Sequence, residues 1–255
     1  MSVQFGAAVL LTNLDQVSTS EPGLQPTHIR TFHPRRGRIG PTRAQAMVEL
    51  WPIQGFDIDP HGPALDPAAL FGHSSDEAAR PLVLEIGCGM GEATVEQAAT
   101  DPARDYLAVD VHTPGLGNLL SMARDRGLGN VRAAQGDAID LLRDLVKPAS
   151  VDTIQVFFPD PWPKAKHHKR RIIQPENVTL MRERLRSGGV LHCATDWADY
   201  AEQMLDVLSA DSGLANTAGT VDGYTPRPEW RPVTKFERRA LEAGREIFDL
   251  VFTAR

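Results

Sequence analysis

Apolar and polar positions along the chain change rhythm near Pro81, and an alternation of strands and helices begins there. Leu82-Val-Leu-Glu-Ile86 reads as a strand, and Gly87-Cys-Gly-Met-Gly91 turns from it into a helix over Glu92 to Thr100. Strands at Tyr106–Asp110 and Val131–Gln135 alternate with helices at Gly115–Arg126 and Ala138–Val146. A fourth strand runs from Val151 to Phe158 and is wholly apolar after Gln155. Glu176 to Arg186 reads as a helix closed by Ser187-Gly-Gly, with a fifth strand at Val190–Ala194 and another helix at Ala198–Ser209. A final helix at Phe236–Gly244 and strand at Ile247–Thr253 complete the pattern. Such repeated alternation predicts a mostly parallel sheet covered by helices on both faces.

Upstream of Pro81 the signal is weaker. Residues 1–28 mix Ser, Thr, Pro and Gln without period and read as a disordered tail. Residues 29–80 read as a basic arm, a short helix and a connection. The helix is marked by Ala44, Met47, Val48 and Trp51 within Pro41–Trp51, and the connection is rich in Pro, Gly, Asp and His. The main domain is expected at 81–255.

Composition narrows the class. The 255 residues carry a net charge of −6, which argues against a general nucleic-acid binder. The basic residues are nevertheless segregated. No acid falls between Glu21 and Glu49, where Arg30, Arg35, Arg36, Arg38 and Arg43 lie, and a second run extends from Lys164 to Arg171. No apolar stretch approaches the roughly 20 residues of a membrane span, and no signal-peptide pattern opens the chain. Cys88 and Cys193, far apart, have no metal-like spacing, so a cytoplasmic protein without a metal is expected. Monomer and homodimer are equally compatible with the sequence.

Gly87, Gly89 and Gly91 stand where a backbone must approach a ligand closely. Loops of this kind serve dinucleotides and S-adenosylmethionine. The GxGxG spacing departs from the dinucleotide fingerprint. Glu85, just before the loop, would repel a pyrophosphate and suits the ammonium of a methionine moiety. Asp110, ending the second strand, suits ribose hydroxyls of either ligand. Asp137 suits an adenine amino group or, alternatively, an N-cap for the helix at Ala138.

The second chemical centre is Phe157-Phe-Pro-Asp-Pro-Trp-Pro-Lys-Ala-Lys-His-His-Lys-Arg-Arg171. Prolines on both sides place Asp160 on a stiff, non-helical turn. Lys164, Lys169, Arg170 and Arg171 suit the phosphates of a polyanion. Trp162 and Trp197 suit either base stacking or the core.

These residues resemble a known family. From about Arg30 to Arg255 the chain resembles the bacterial tRNA (guanine-N7)-methyltransferases. The resemblance rests on Leu84-Glu-Ile-Gly-Cys-Gly-Met-Gly91, Val111-His-Thr-Pro-Gly-Leu-Gly117, Phe158-Pro-Asp-Pro-Trp-Pro-Lys164, His167-His-Lys-Arg-Arg171, Ala194-Thr-Asp-Trp197, Tyr200-Ala201 and Thr234-Lys-Phe-Glu237. It implies a class I, Rossmann-like methyltransferase, a three-layer α/β sandwich on a seven-stranded sheet whose last strand is antiparallel. It implies S-adenosylmethionine held by Glu85, Asp110, Asp137 and Asp160, with Asp160 catalytic. It further implies guanine 46 of the tRNA variable loop as target, met by Lys164, Asp196, Thr234, Lys235, Phe236 and Glu237. Thr234 also suits an N-cap, with Glu237 completing a capping box. The chain departs from the family in Asp110 where Glu is commoner, in Ala165 at a usually basic position, and in a longer insertion around 72–79. Competing readings are a methyltransferase of another base and a non-catalytic tRNA-binding protein on the same fold.

Overall fold

The computed structural model describes residues 28–33, 38–74 and 79–255. Of the expected tail over residues 1–28, residues 1–27 lie outside the described residues, as do Arg35, Arg36 and part of the 72–79 insertion. The chain divides into two units, Met1–Arg30 and Thr31–Arg255. Of the first, His28–Arg30 are described and form no helix or strand.

The second unit is built on an eight-stranded sheet in the order β1-β4-β3-β2-β5-β6-β8-β7. Its strands are β1 (Gly55–Asp57), β2 (Leu82–Ile86), β3 (Asp105–Asp110), β4 (Val131–Gln135), β5 (Val151–Phe157), β6 (Leu185–Thr195), β7 (Leu214–Asn216) and β8 (Phe248–Ala254). β8 runs antiparallel to both β6 and β7, and the other pairings are parallel. The predicted count of seven is corrected to eight. The additional strand, β1, adds to the free edge of β4. At three residues, within a Pro/Gly/Asp-rich connection, it is too short to show period-two alternation.

Helices α3 (Glu92–Thr100) and α4 (Thr113–Asp125) cover one face, and α6 (Pro175–Arg184) and α7 (Ala198–Ala210) contribute to the other. Alternation along β2 sends Leu82, Leu84 and Ile86 to the second core and Val83 to the first. Glu85 therefore faces α3. α1 (Pro41–Gln54) docks on α4, with Arg43 Nε donating to Asn118 Oδ1 at 3.2 Å, and the short α2 (Pro67–Phe71) follows β1. None of the described helices is long and apolar enough to cross a membrane.

Two predicted boundaries shift. The helix after Asp137 is α-helical only over α5 (Ala138–Asp140) and continues as a π-helical turn over Leu141–Leu145. α6 ends at Arg184, and Leu185 already pairs with Val151. The Ser187-Gly-Gly stretch is thus not a helix stop but an excursion within β6. The register advances from Val151 to Thr153 on one strand and from Leu185 to Val190 on the other. Such a local excess of residues is a bulge, and Gly188 supports it with φ of 76°.

Candidate active site

A cavity of about 330 Å³ opens at the carboxyl ends of the parallel strands, where the strand order reverses between β2 and β5. This is where open α/β sheets bind ligands. The loops after β2, β3, β4 and β5 all reach it, as do Thr31–His33 and the start of α8 (Lys235–Glu242).

The loop after β2 is the glycine turn predicted from sequence. Gly87, Gly89 and Gly91 have φ of 75°, 59° and 76°. The start of α4 lies directly against it: a Cβ on Gly115 would stand 1.8 Å from the Gly89 carbonyl oxygen. Gly87 and Gly89 line the cavity, whereas Gly91 is buried behind the loop against Leu119. Asp110 fixes the turn. Its Oδ2 accepts from the Gly89 N–H at 2.7 Å and its Oδ1 from the His112 N–H at 2.9 Å. Glu85 is buried at the cavity wall and accepts a hydrogen bond from Thr94 Oγ1. Burial pushes its carboxyl up to about 7, and the charge of Asp110 adds to the rise. Asp137 takes the N-cap role, accepting from the Ile139 N–H at 2.9 Å. Its neighbours Gly136 and Ala138 line the cavity.

The opposite wall is the proline-flanked turn. Asp160 is non-helical, as expected, and its neighbours Phe158 and Trp162 sit at φ of 50° and 45°. Bulky side chains rarely adopt this left-handed region, and each such residue costs about 1–3 kcal/mol. Surrounding contacts hold the turn. Trp162 is buried, and its Nε1 donates to the Thr31 carbonyl oxygen at 3.2 Å. The His33 ring stacks on it at 3.8 Å, and the Arg170 guanidinium lies 3.9 Å from its ring centre. The His33 N–H donates to Asp160 Oδ2 at 3.2 Å. Trp162 thus joins Thr31–His33 to the basic segment, which folds as a short 3₁₀ helix over Ala165–Arg170.

The adjacent cations have different environments. Lys164 and Lys169 are exposed, and Arg170 is partly covered by its stacking. Arg171 is 1% exposed, which corrects its expected role as a phosphate contact. Its Nε donates to the Pro161 carbonyl oxygen at 2.8 Å, Nη1 reaches Gln203 at 2.5 Å, and Nη2 pairs with Asp199. It pins the turn from beneath, and it holds the Asp199 carboxyl below the usual range.

The third wall is α8. Thr234 caps it, accepting from the Glu237 N–H at 3.2 Å. The predicted capping box is only half present, because the Glu237 carboxylate turns inward to Arg231. Glu237 is 3% exposed, so its expected substrate contact is corrected to a structural role. Arg231, 0% exposed, also grips Asp249 through Nε at 2.6 Å and Nη2 at 2.8 Å. His192 Nε2 lies 2.8 Å from the same Asp249 carboxylate. Burial lowers the His192 pKa despite that neighbour, which fits a neutral ring donating from Nε2. This four-residue network has no compact sequence signature, since its members come from β6, a loop, α8 and β8. Thr234, Lys235 and Phe236 line the cavity, with Lys235 paired to Glu92. Asp196 pairs with Arg245 at 2.5 Å. Arg239, Met90 and the Thr31–His33 strap are lining residues that the sequence did not single out.

A mostly parallel sheet whose strand order reverses beside a glycine turn, with acids at the carboxyl ends of two neighbouring strands and an antiparallel last strand, defines a Rossmann-like methyltransferase. A family model described as a putative methyltransferase matches residues 79–250. The tRNA (guanine-N(7)-)-methyltransferase of Streptomyces avermitilis is 56% identical over 224 residues, spanning 88% of this chain and 74% of the relative. The corresponding protein of Halorhodospira halophila is 51% identical over 91% of this chain and 97% of its own length. The chain belongs to the tRNA (guanine-N7)-methyltransferase family. In fold it is similar to the crystal structure of the 16S rRNA methyltransferase KamB, with a TM-score of 0.51 and 20% identity over 68% of this chain and 87% of that one.

Proposed function

We propose that this protein transfers the methyl group of S-adenosylmethionine to N7 of guanine 46 in the variable loop of tRNA, in the cytoplasm. The observation that carries the reading is the convergence of Asp160 on the cavity that Glu85 and the glycine turn also line. A cation-accepting pocket and a base-accepting acid thereby share one space.

The lining fits such a donor. Glu85 and Asp110 place carboxyl groups at the wall, and Gly87 and Gly89 allow close backbone approach. Asp110 spends one lone pair of each oxygen on the turn and keeps acceptor capacity for ribose hydroxyls. When bound, S-adenosylmethionine supplies a methyl carbon already activated on a sulfonium.

Guanine N7 attacks through a lone pair and loses no proton, so Asp160 need not act as a base. Alignment is the main task, and orientation contributes at most roughly 7–11 kcal/mol to such steps. Methylation leaves the purine positively charged. Asp160, held by a strained turn, accepts hydrogen bonds from the N1 and N2 hydrogens of guanine and stabilises that developing charge. Lys164 and Lys169 grip phosphates and position the RNA without reading its sequence. Arg170, stacked on Trp162, extends the same surface.

Transfer from labelled donor to bulk tRNA, followed by cleavage mapping of N7-methylguanine, tests the reading. A mark at guanine 46 is expected. A mark elsewhere, or none, would replace it.

A further inference from the structure

Among the described residues, the cavity is lined by four acids, Glu85, Glu92, Asp110 and Asp160, and by two lysine or arginine side chains, Lys235 and Arg239. Lys235 is paired with Glu92. Arg239 is exposed and has no acid partner among the described residues. An unpaired guanidinium is out of place in a pocket for a sulfonium, which it repels, unless an anion accompanies the cation. The proposed donor carries one: its methionine tail ends in an ammonium and a carboxylate. The acids suit the ammonium and the sulfonium, but they repel the carboxylate.

Helix geometry places the candidate partner. Residues at i and i+4, or i and i+3, share a helical face, so Arg239 lies on the same side of α8 as Lys235 and Phe236. That side overlooks the glycine turn. Lys235 reaches Glu92 in the first turn of α3, and the Phe236 ring comes within 3.9 Å of where a Cβ on Gly89 would stand. The inner side of α8 is tied down by the buried Glu237–Arg231–Asp249 contacts, which fix the position of Arg239 two residues on. We infer that Arg239 is the receptor for the carboxylate of the donor's methionine moiety. Its planar fork matches a carboxylate in two parallel hydrogen bonds. This inference rests on the reading of S-adenosylmethionine as donor and assigns one end of it.

Calorimetric titration of wild type, Arg239→Ala and Arg239→Lys with S-adenosylmethionine and with its decarboxylated form tests the assignment. Decarboxylated donor keeps the adenosine, sulfonium and ammonium and lacks only the carboxylate. Arg239→Ala is expected to weaken S-adenosylmethionine about 10- to 100-fold, the range for a lost charge-assisted hydrogen bond, and to leave the decarboxylated form within about twofold. Arg239→Lys should recover part of the loss. Equal weakening of both ligands would make Arg239 a packing residue. Unchanged donor affinity with a raised KM for tRNA would make it a phosphate contact. Either outcome overturns the inference. Wild type failing to bind S-adenosylmethionine would strike the donor reading itself.

Discussion

Two walls of the cavity, the turn at Phe158–Arg171 and the start of α8 at Thr234–Arg239, look alike in sequence: a short run of charges beside an aromatic side chain. In the structure each divides into residues that hold the wall and residues that face the cavity or solvent. On the turn, Arg171 is buried under Pro161 while Lys164 and Lys169 point outward. On α8, Glu237 is buried on Arg231 while Phe236, 51% exposed, and Arg239 border the cavity. The walls differ in what holds them. The turn is strained and secured by stacking on Trp162, whereas α8 is unstrained and secured by a desolvated ion network. A charge within a functional-looking motif is therefore a ligand-contact candidate only where solvent or the cavity reaches it.

The sharpest way to break this comparison is at the α8 anchor. Arg231→Met should destabilise the protein by about 3–5 kcal/mol, because Asp249 and Glu237 are left charged and buried. Denaturant titration reads this, and a loss below about 1 kcal/mol would show that the network is not the anchor. Next in size is Asp160→Asn, which should lower the methyl-transfer rate roughly 100- to 1000-fold while donor affinity stays within about threefold. Loss of donor affinity alone, with the rate intact, would remove Asp160 from the chemistry. A direct contrast on the turn follows. Arg171→Met should cost about 1–3 kcal/mol of stability through the unpaired Pro161 carbonyl. Lys164→Glu with Lys169→Glu should leave the melting temperature alone and reduce the salt slope of tRNA binding by about two. Exchanged phenotypes would reverse the division between anchor and contact.

The smallest effect is expected at Glu85. Its folded pKa, about 7, lies above the ordinary 4.5, so its contribution to stability is fullest below pH 4.5 and falls as pH rises through 7. Donor affinity should move the opposite way, since the ammonium is received by the ionised form. Between pH 6 and 8 affinity should climb and then level off. Glu85→Gln should flatten that slope, and a slope unchanged in the variant would assign the titration to another group.

Much of the fold was legible because its strands are apolar and its helices regular. Leu82–Ile86 and Val131–Gln135 fall where the pattern placed them. β1 and β7, at three residues each, were not, because short edge strands gain their pairing from a neighbour and not from their own sequence. Within the site, Glu85, Asp110 and Asp160 announced themselves through position at strand ends and between prolines. Arg171 and Glu237 misled because charge is visible in sequence and burial is not. His192, Arg231 and Asp249 meet only in three dimensions. Arg239 lies two residues beyond a motif that drew attention to itself.

The most direct test of the central claim uses a tRNA transcript carrying 7-deazaguanosine at position 46, compared with the guanosine form under saturating S-adenosylmethionine. The account predicts equal binding of both transcripts and methyl uptake by the guanosine form alone. Undiminished uptake by the 7-deaza transcript would contradict it.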